Sequence, residues 1–184
     1  IVVQDKIKEE SKEVISYLNS KGKTIMLTGD NSSVANKVAS YLNLTSYKAS
    51  LLPQDKVKEV ENIIKNKGKN DVVCYVGDGI NDAPSLMIAD VGISMGKVGS
   101  DAAIEASDVV ITNDNLTKIK LSKRIAKKVI TIVNENIYFA IGIKVLVLIL
   151  SALGYAEMWL AIFADVGVSL LAILNSLREN LIKK

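Results

Sequence analysis

Apolar residues in the first 112 positions recur in two rhythms. Short apolar-rich stretches fall at Lys23–Leu27, Val72–Val76, Val91–Met95 and Val109–Thr112, with the length of buried strands. Between them the apolar positions lie three and four apart, which predicts helices. Ile7, Val14, Ile15 and Leu18 share one face of Asp5–Ser20, Val34, Val38 and Leu42 follow Ser32-Ser33, and Val57, Val60, Ile63 and Ile64 line a helix from about Gln54 to Asn66. Lys21-Gly22 and Gly68 are stop signals, Ser32-Ser33 are good caps, and Pro53 suits a first helical turn. Another helical stretch is expected at Ser100–Ala106. Strands alternating with helices predict an α/β fold: a parallel sheet with helices on both faces. Right-handed crossovers then place every strand's C-terminal end on the same edge. Thr28-Gly29-Asp30 and Gly77–Asp82 follow two such ends, so two segments far apart in sequence are expected to meet in one crevice.

The rhythm changes after Asn115. A basic amphipathic helix, Asn115–Val133, leads into two strongly apolar stretches, Ile137–Leu153 and Met158–Leu177. Each approaches the roughly 20 residues that cross a bilayer as a helix. Lys118, Lys120, Lys123, Arg124, Lys127 and Lys128 precede the pair, Arg178, Lys183 and Lys184 follow it, and Gly154–Glu157 carries no basic residue. That asymmetry places both outer ends in the cytoplasm, and Tyr155 and Trp159 sit where an interfacial aromatic belt belongs. The expected organisation is a cytoplasmic α/β domain over 1–114, a connecting helix over 115–136, two transmembrane helices over 137–177 and a tail over 178–184. The lipid bilayer is thus a partner, with residues 1–136 and 178–184 on the cytoplasmic side of the cell membrane.

Composition sharpens this division. Within Ile137–Leu177 only Lys144, Glu157 and Asp165 are charged, so the net charge of +3 averages two unlike halves and gives no reason to expect nucleic acid. The single cysteine, Cys74, excludes an internal disulfide and reads as a small buried hydrophobe. With no histidine in the chain, His triads and His metal ligation are ruled out. The chain opens on Ile1 rather than Met, and is expected to belong to something longer.

The most chemically informative stretch is Gly77-Asp78-Gly79-Ile80-Asn81-Asp82-Ala83-Pro84. It sets two carboxylates and an amide on a glycine turn at a strand end, and paired carboxylates in an apolar setting repel unless a cation sits between them. Asp78 and Asp82 are hard oxygen ligands suited to Mg2+, which takes one or two carboxylates and keeps waters. A transferring phosphoryl group needs positioning and charge neutralisation. Thr28 and the Gly29 amide are candidates for the first at a helix N-terminus, and Lys56, in the first turn after Pro53, for the second.

In order and spacing, Thr28-Gly29-Asp30, Lys56 within Leu52-Pro53-Gln54-Asp55-Lys56, and the octet from Gly77 to Pro84 resemble the phosphorylation domain of P-type ATPases, built on the haloacid dehalogenase fold. The resemblance implies that Thr28 and Gly29, with Asp30 in the same motif, hold the phosphoryl group and that Lys56 neutralises it. It implies further that Asp78 binds Mg2+, with Asn81 and Asp82 in support. It also implies an aspartate phosphorylated from ATP within an Asp-Lys-Thr-Gly motif, and a nucleotide-binding domain inserted after it. Neither occurs in these 184 residues, so this chain by itself is not expected to turn over ATP and looks to a missing N-terminal part of the same protein.

Lys144 and Asp165 lie about 11 residues before and about 10 after Tyr155, so both sit about 15 Å deep and can meet near the bilayer midplane. Ionisable residues there are functional by default. Gly142-Ile143-Lys144, Trp159–Gly167 and Leu174–Arg178 resemble the last two helices of the zinc, cadmium and lead branch of heavy-metal P-type ATPases. That implies Asp165 as a ligand of the exported divalent cation and Lys144 as its counter-charge. The copper branch would instead show Tyr-Asn and Met with paired serines in these helices. Three alternatives stay open: a membrane-anchored phosphatase of the same fold, a regulatory or binding module that holds phosphate without a nucleophile, or a copper-transporting pump.

Overall fold

The computed structural model describes residues 7–77, 80–96, 104–113, 115–155 and 157–178. The chain falls into two compact units, Ile1–Lys118 and Ile119–Lys184.

The first unit is α/β. Helix α1 (Glu10–Asn19) buries Val14 and starts later than the apolar spacing from Ile7 implies. Strand β1 (Ile25–Leu27) leads to helix α2 (Ser32–Leu42). Its cap is Asn31 rather than either serine: Asn31 is extended, and its side-chain oxygen accepts the Val34 N–H at 3.0 Å. Asn43, left-handed at φ 55°, ends α2, and Leu44 N–H donates back to the Ala39 carbonyl. Strand β2 (Ser46–Lys48) is invisible to the hydrophobic pattern because Ser-Tyr-Lys contains no apolar run; its pairing with β1 makes it a strand.

Helix α3 (Pro53–Asn66) starts on its proline and buries Val60. Strand β3 (Cys74–Gly77), a 3₁₀ turn at Ile80–Asp82, helix α4 (Ala83–Ile88), strand β4 (Val91–Met95) and strand β5 (Val109–Ile111) follow. All strand pairs are parallel, as the alternation predicts, but they form two sheets, β1-β2 and β3-β4-β5. The central strand β4 is the most buried. At Gly92 a Cβ would meet the Leu86 carbonyl at 2.6 Å, so α4 can lie tightly on β4 only because that residue is glycine. Cys74 is exposed, contrary to the sequence reading, because β3 is an edge strand among the described residues. The helix expected at Ser100–Ala106 lies mostly outside the described residues.

Lys67 and Asp90 form an ion pair beside the start of β3, and Asp90 also accepts the Val73 N–H at 2.7 Å. The Lys67 hydrogen bond, then the Val73 N–H, hold the Asp90 carboxyl below its ordinary range. A carboxyl lowered in the folded state stabilises above its unfolded pKa and loses that contribution as pH falls through the folded value. Asp90→Asn is therefore expected to lower the melting temperature at neutral pH, with the difference from the parent shrinking below about pH 4. Melting curves from pH 7 to pH 3 check this.

The second unit is a helical hairpin. Helix α5 (Thr117–Ala152) runs 36 residues without a break, so the basic segment and the first apolar stretch form one rod of about 54 Å. Gly154 at φ 79° closes it, with Tyr155 N–H donating to the Leu150 carbonyl. Helix α6 (Met158–Ser176) returns. Both helices are long and apolar enough to cross a membrane, and only 6% of each apolar window is buried. Leu148, Phe163 and Leu174 point outward, where water would penalise them and lipid would not.

Candidate phosphate crevice and membrane ion pair

The turn after β1 is locally self-bonded. Thr28 Oγ1 donates to Asp30 at 3.0 Å and accepts the Asp30 N–H at 3.1 Å. Leu51 N–H donates to the Thr28 carbonyl at 3.0 Å and Ser50 N–H to the Asp30 carbonyl at 2.7 Å. Ser50 takes a left-handed φ of 56°, a conformation uncommon outside glycine and asparagine, to make that contact. A Cβ on Gly29 would lie 3.4 Å from the Leu51 carbonyl. The segment that grips the Thr28-Gly29-Asp30 turn is thus the one that enters α3, and α3 carries Lys56.

Lys56 Nζ lies 2.9 Å from Asp82 Oδ1. Tyr75 O–H donates to the same oxygen at 3.0 Å, and Asp82 is buried. Sequence reasoning gave Lys56 and Asp82 separate tasks, whereas the fold puts them in contact. It missed Tyr75 altogether, although a phenol in a valine-rich strand two residues before Gly77 was the available signal. Asp82 approaches β3 so closely that a Cβ on Gly77 would lie 2.8 Å from its Cβ. Gly77→Ala is expected to cost about 1–3 kcal/mol by displacing Asp82. Chemical denaturation of the variant beside the parent measures that loss.

Asn81 is exposed on the 3₁₀ turn. Asp78, with Gly79, lies outside the described residues. Ser85 Oγ is buried and makes no hydrogen bond among the described residues. One Asp82 oxygen is committed to Lys56 and Tyr75, and the other, with no hydrogen bond among the described residues, is a hard oxygen donor of the kind Mg2+ takes. Two carboxylates suffice for that ion, so the lack of a three-ligand His, Cys, Asp or Glu cluster among the described residues does not count against it.

In the second unit Lys144 Nζ lies 3.1 Å from Asp165 Oδ1, so the two charges expected at equal depth do meet. Nearer the outer helix ends, Asn136 Nδ2 donates to the Ala172 carbonyl and Ser176 Oγ, and Asn175 Nδ2 donates to Asn136 Oδ1 at 2.9 Å. Arg178 reaches Glu135 at 3.1 Å. These contacts, which the sequence reading did not anticipate, fix the antiparallel register that brings Lys144 opposite Asp165. Between helices in lipid such polar bonds are each worth about 1 kcal/mol.

Comparison with known proteins agrees with both units. The haloacid dehalogenase-like hydrolase family matches residues 1–90. The zinc-transporting ATPase of Synechocystis sp. is 48% identical over 180 residues, which is 97% of this chain and 25% of that protein. The cadmium, zinc and cobalt-transporting ATPase of Bacillus subtilis is 46% identical over the same share of this chain and 26% of its own length. A crystal structure of a zinc-transporting PIB-type ATPase in the E2.Pi state superimposes with a TM-score of 0.85 at 37% identity, covering 96% of this chain and 28% of that one. The chain spans about a quarter of the length of the curated relatives it matches.

Proposed function

We propose, for a chain that belongs to the heavy-metal-translocating P-type ATPases, that in the intact protein it supplies half of the phosphoryl-transfer site and part of the path of an exported divalent cation. The observation that carries this reading is the presence, in one chain, of the Lys56–Asp82 crevice and the Lys144–Asp165 pair.

In the crevice, Thr28 Oγ1 and the Gly29 N–H bind phosphoryl oxygens, and Lys56 offsets their charge. Asp82 and Tyr75 aim Lys56 from below, so its ammonium is in place before the phosphoryl group arrives. Mg2+, held by Asp78 and Asp82, supplies further charge neutralisation when bound, ATP being the phosphoryl donor. The acceptor aspartate is contributed by the part of the protein outside this chain. In support, β1 pairs only with β2 and β3 only with β4 among the described residues, and Ile25 and Val76 on those strands are more than a third exposed. Each of these strands therefore has an edge unpaired by any described strand, which one further strand would pair.

In the hairpin, Asp165 binds the cation with its carboxylate. Lys144 takes over as the counter-charge when the cation leaves, so the midplane never holds a lone carboxylate. Zinc, cadmium and lead all suit this role, since one carboxylate does not discriminate among them. Both helix ends outside the apolar stretches, with residues 1–136 and 178–184, face the cytoplasm of the cell membrane.

The test is ATP hydrolysis by the purified intact protein in liposomes. Zinc or cadmium is expected to stimulate it, copper(I) is not, and chelating Mg2+ abolishes it. Stimulation by copper(I) alone would transfer the chain to the copper branch, and phosphate-ester hydrolysis indifferent to every metal cargo would favour the membrane-anchored phosphatase.

A further inference from the structure

On α5, Lys127 and Lys128 lie three and four residues after Arg124, on its side of the helix, with Glu135 two to three turns further on. Arg178, just past the end of α6, joins them to line a cleft of about 310 Å³ within the second unit. Glu135 is bonded to Arg178 at 3.1 Å, and Asn175 Oδ1 accepts from the same guanidinium at 2.7 Å, so this side of the cleft is fixed in place. Four cations against one carboxylate leave the lining strongly positive.

Ile132, which is buried, forms the apolar floor of the same cleft. Lys128 stands one helical turn, about 6 Å, from Ile132, close to the thickness of one headgroup layer. An inorganic anion has use for the cations but not for the floor. An amphiphile with an anionic head and an acyl chain uses both.

We propose that this cleft binds the headgroup of an anionic phospholipid, with the phosphate among Arg124, Lys127, Lys128 and Arg178 and the start of the acyl chain over Ile132. The placement rests on the hairpin lying in a bilayer and is independent of which ion is transported. Basic pockets between helices at the cytoplasmic interface have this binding chemistry. Arg178 links the site to the transport path, because its partners Glu135 and Asn175 belong to the bonds that set the helix register.

The experiment is native mass spectrometry of the intact protein in detergent, titrated with phosphatidylglycerol or phosphatidylcholine. The parent is expected to retain phosphatidylglycerol about ten-fold better, and K127Q/K128Q to reduce that preference to about two-fold or less. K127R/K128R is expected to restore it, and K118Q/K123Q, altering lysines that do not line the cleft, to leave it intact. Equal retention of the two lipids by the parent overturns the proposal. So does an equal loss in K118Q/K123Q, which would indicate a diffuse basic field, or displacement of the lipid by excess inorganic phosphate, which would make phosphate itself the ligand. Lipid retention rather than ATP turnover is read, so failure here leaves the transport reading standing, and failure of zinc stimulation leaves the lipid site standing.

Discussion

Asp165→Ala in the intact protein is expected to abolish zinc-stimulated ATP hydrolysis, a fall of at least about 100-fold, while the α/β unit remains folded. In the parent the carboxylate sits 3.1 Å from the Lys144 ammonium, in a segment where α5 and α6 otherwise present apolar side chains. Removing it takes away the proposed ligand for the cation and strands a lysine near the membrane midplane, where charge is costly. Both effects act against cation entry. Asp165→Asn separates them, since it keeps the volume and a neutral oxygen but cannot offset a divalent charge. It should also lose stimulation. Zinc titration of ATPase activity in both variants is the measurement, and stimulation retained in either would reduce the pair to a structural bridge between helices.

Asp82→Asn is expected to lower turnover by about 100- to 1,000-fold, the size of effect seen when a preorganised charge at a reacting centre is lost. Its carboxylate is buried and takes two donors on one oxygen, Lys56 Nζ at 2.9 Å and Tyr75 O–H at 3.0 Å. An amide of the same shape accepts these bonds more weakly and leaves the Lys56 charge without a partner. Lys56 then loses the orientation that points it at the phosphoryl group. Tyr75→Phe removes one of the two donors and no charge, so a fall of about ten-fold or less is expected. Phosphorylation rates measured from ATP under single-turnover conditions distinguish the two.

The sequence was most informative where chemistry demands a fixed motif at the end of a strand. Thr28–Asp30 and Gly77 were expected to follow strand ends, and they do follow β1 and close β3, while strands β3 and β4 were legible from their apolar runs. Strand β2 was hidden because its residues are polar and only its neighbour β1 makes it a strand. The Asn31 cap was passed over for two serines that are themselves the first residues of the helix. Cys74 was assigned to the interior on the strength of its valine neighbours, yet burial depends on what lies against β3, and the sequence of the strand does not contain that. The Lys144–Asp165 meeting followed from equal distances to a turn. The polar bonds of Asn136, Asn175 and Arg178 follow from the same register, but they mix donors and acceptors in ways no periodicity reveals.

The central claim is that the crevice and the membrane pair belong to one cycle, so that occupancy of Asp165 controls phosphorylation about the crevice. Formation of a hydroxylamine-sensitive phosphoenzyme from ATP in the intact protein, with and without zinc, tests it most directly. Phosphoenzyme is expected to form only with zinc in the parent and to fail to form with zinc in Asp165→Ala. Phosphoenzyme at the same level in Asp165→Ala, or equal formation in the parent when zinc is chelated, would contradict it.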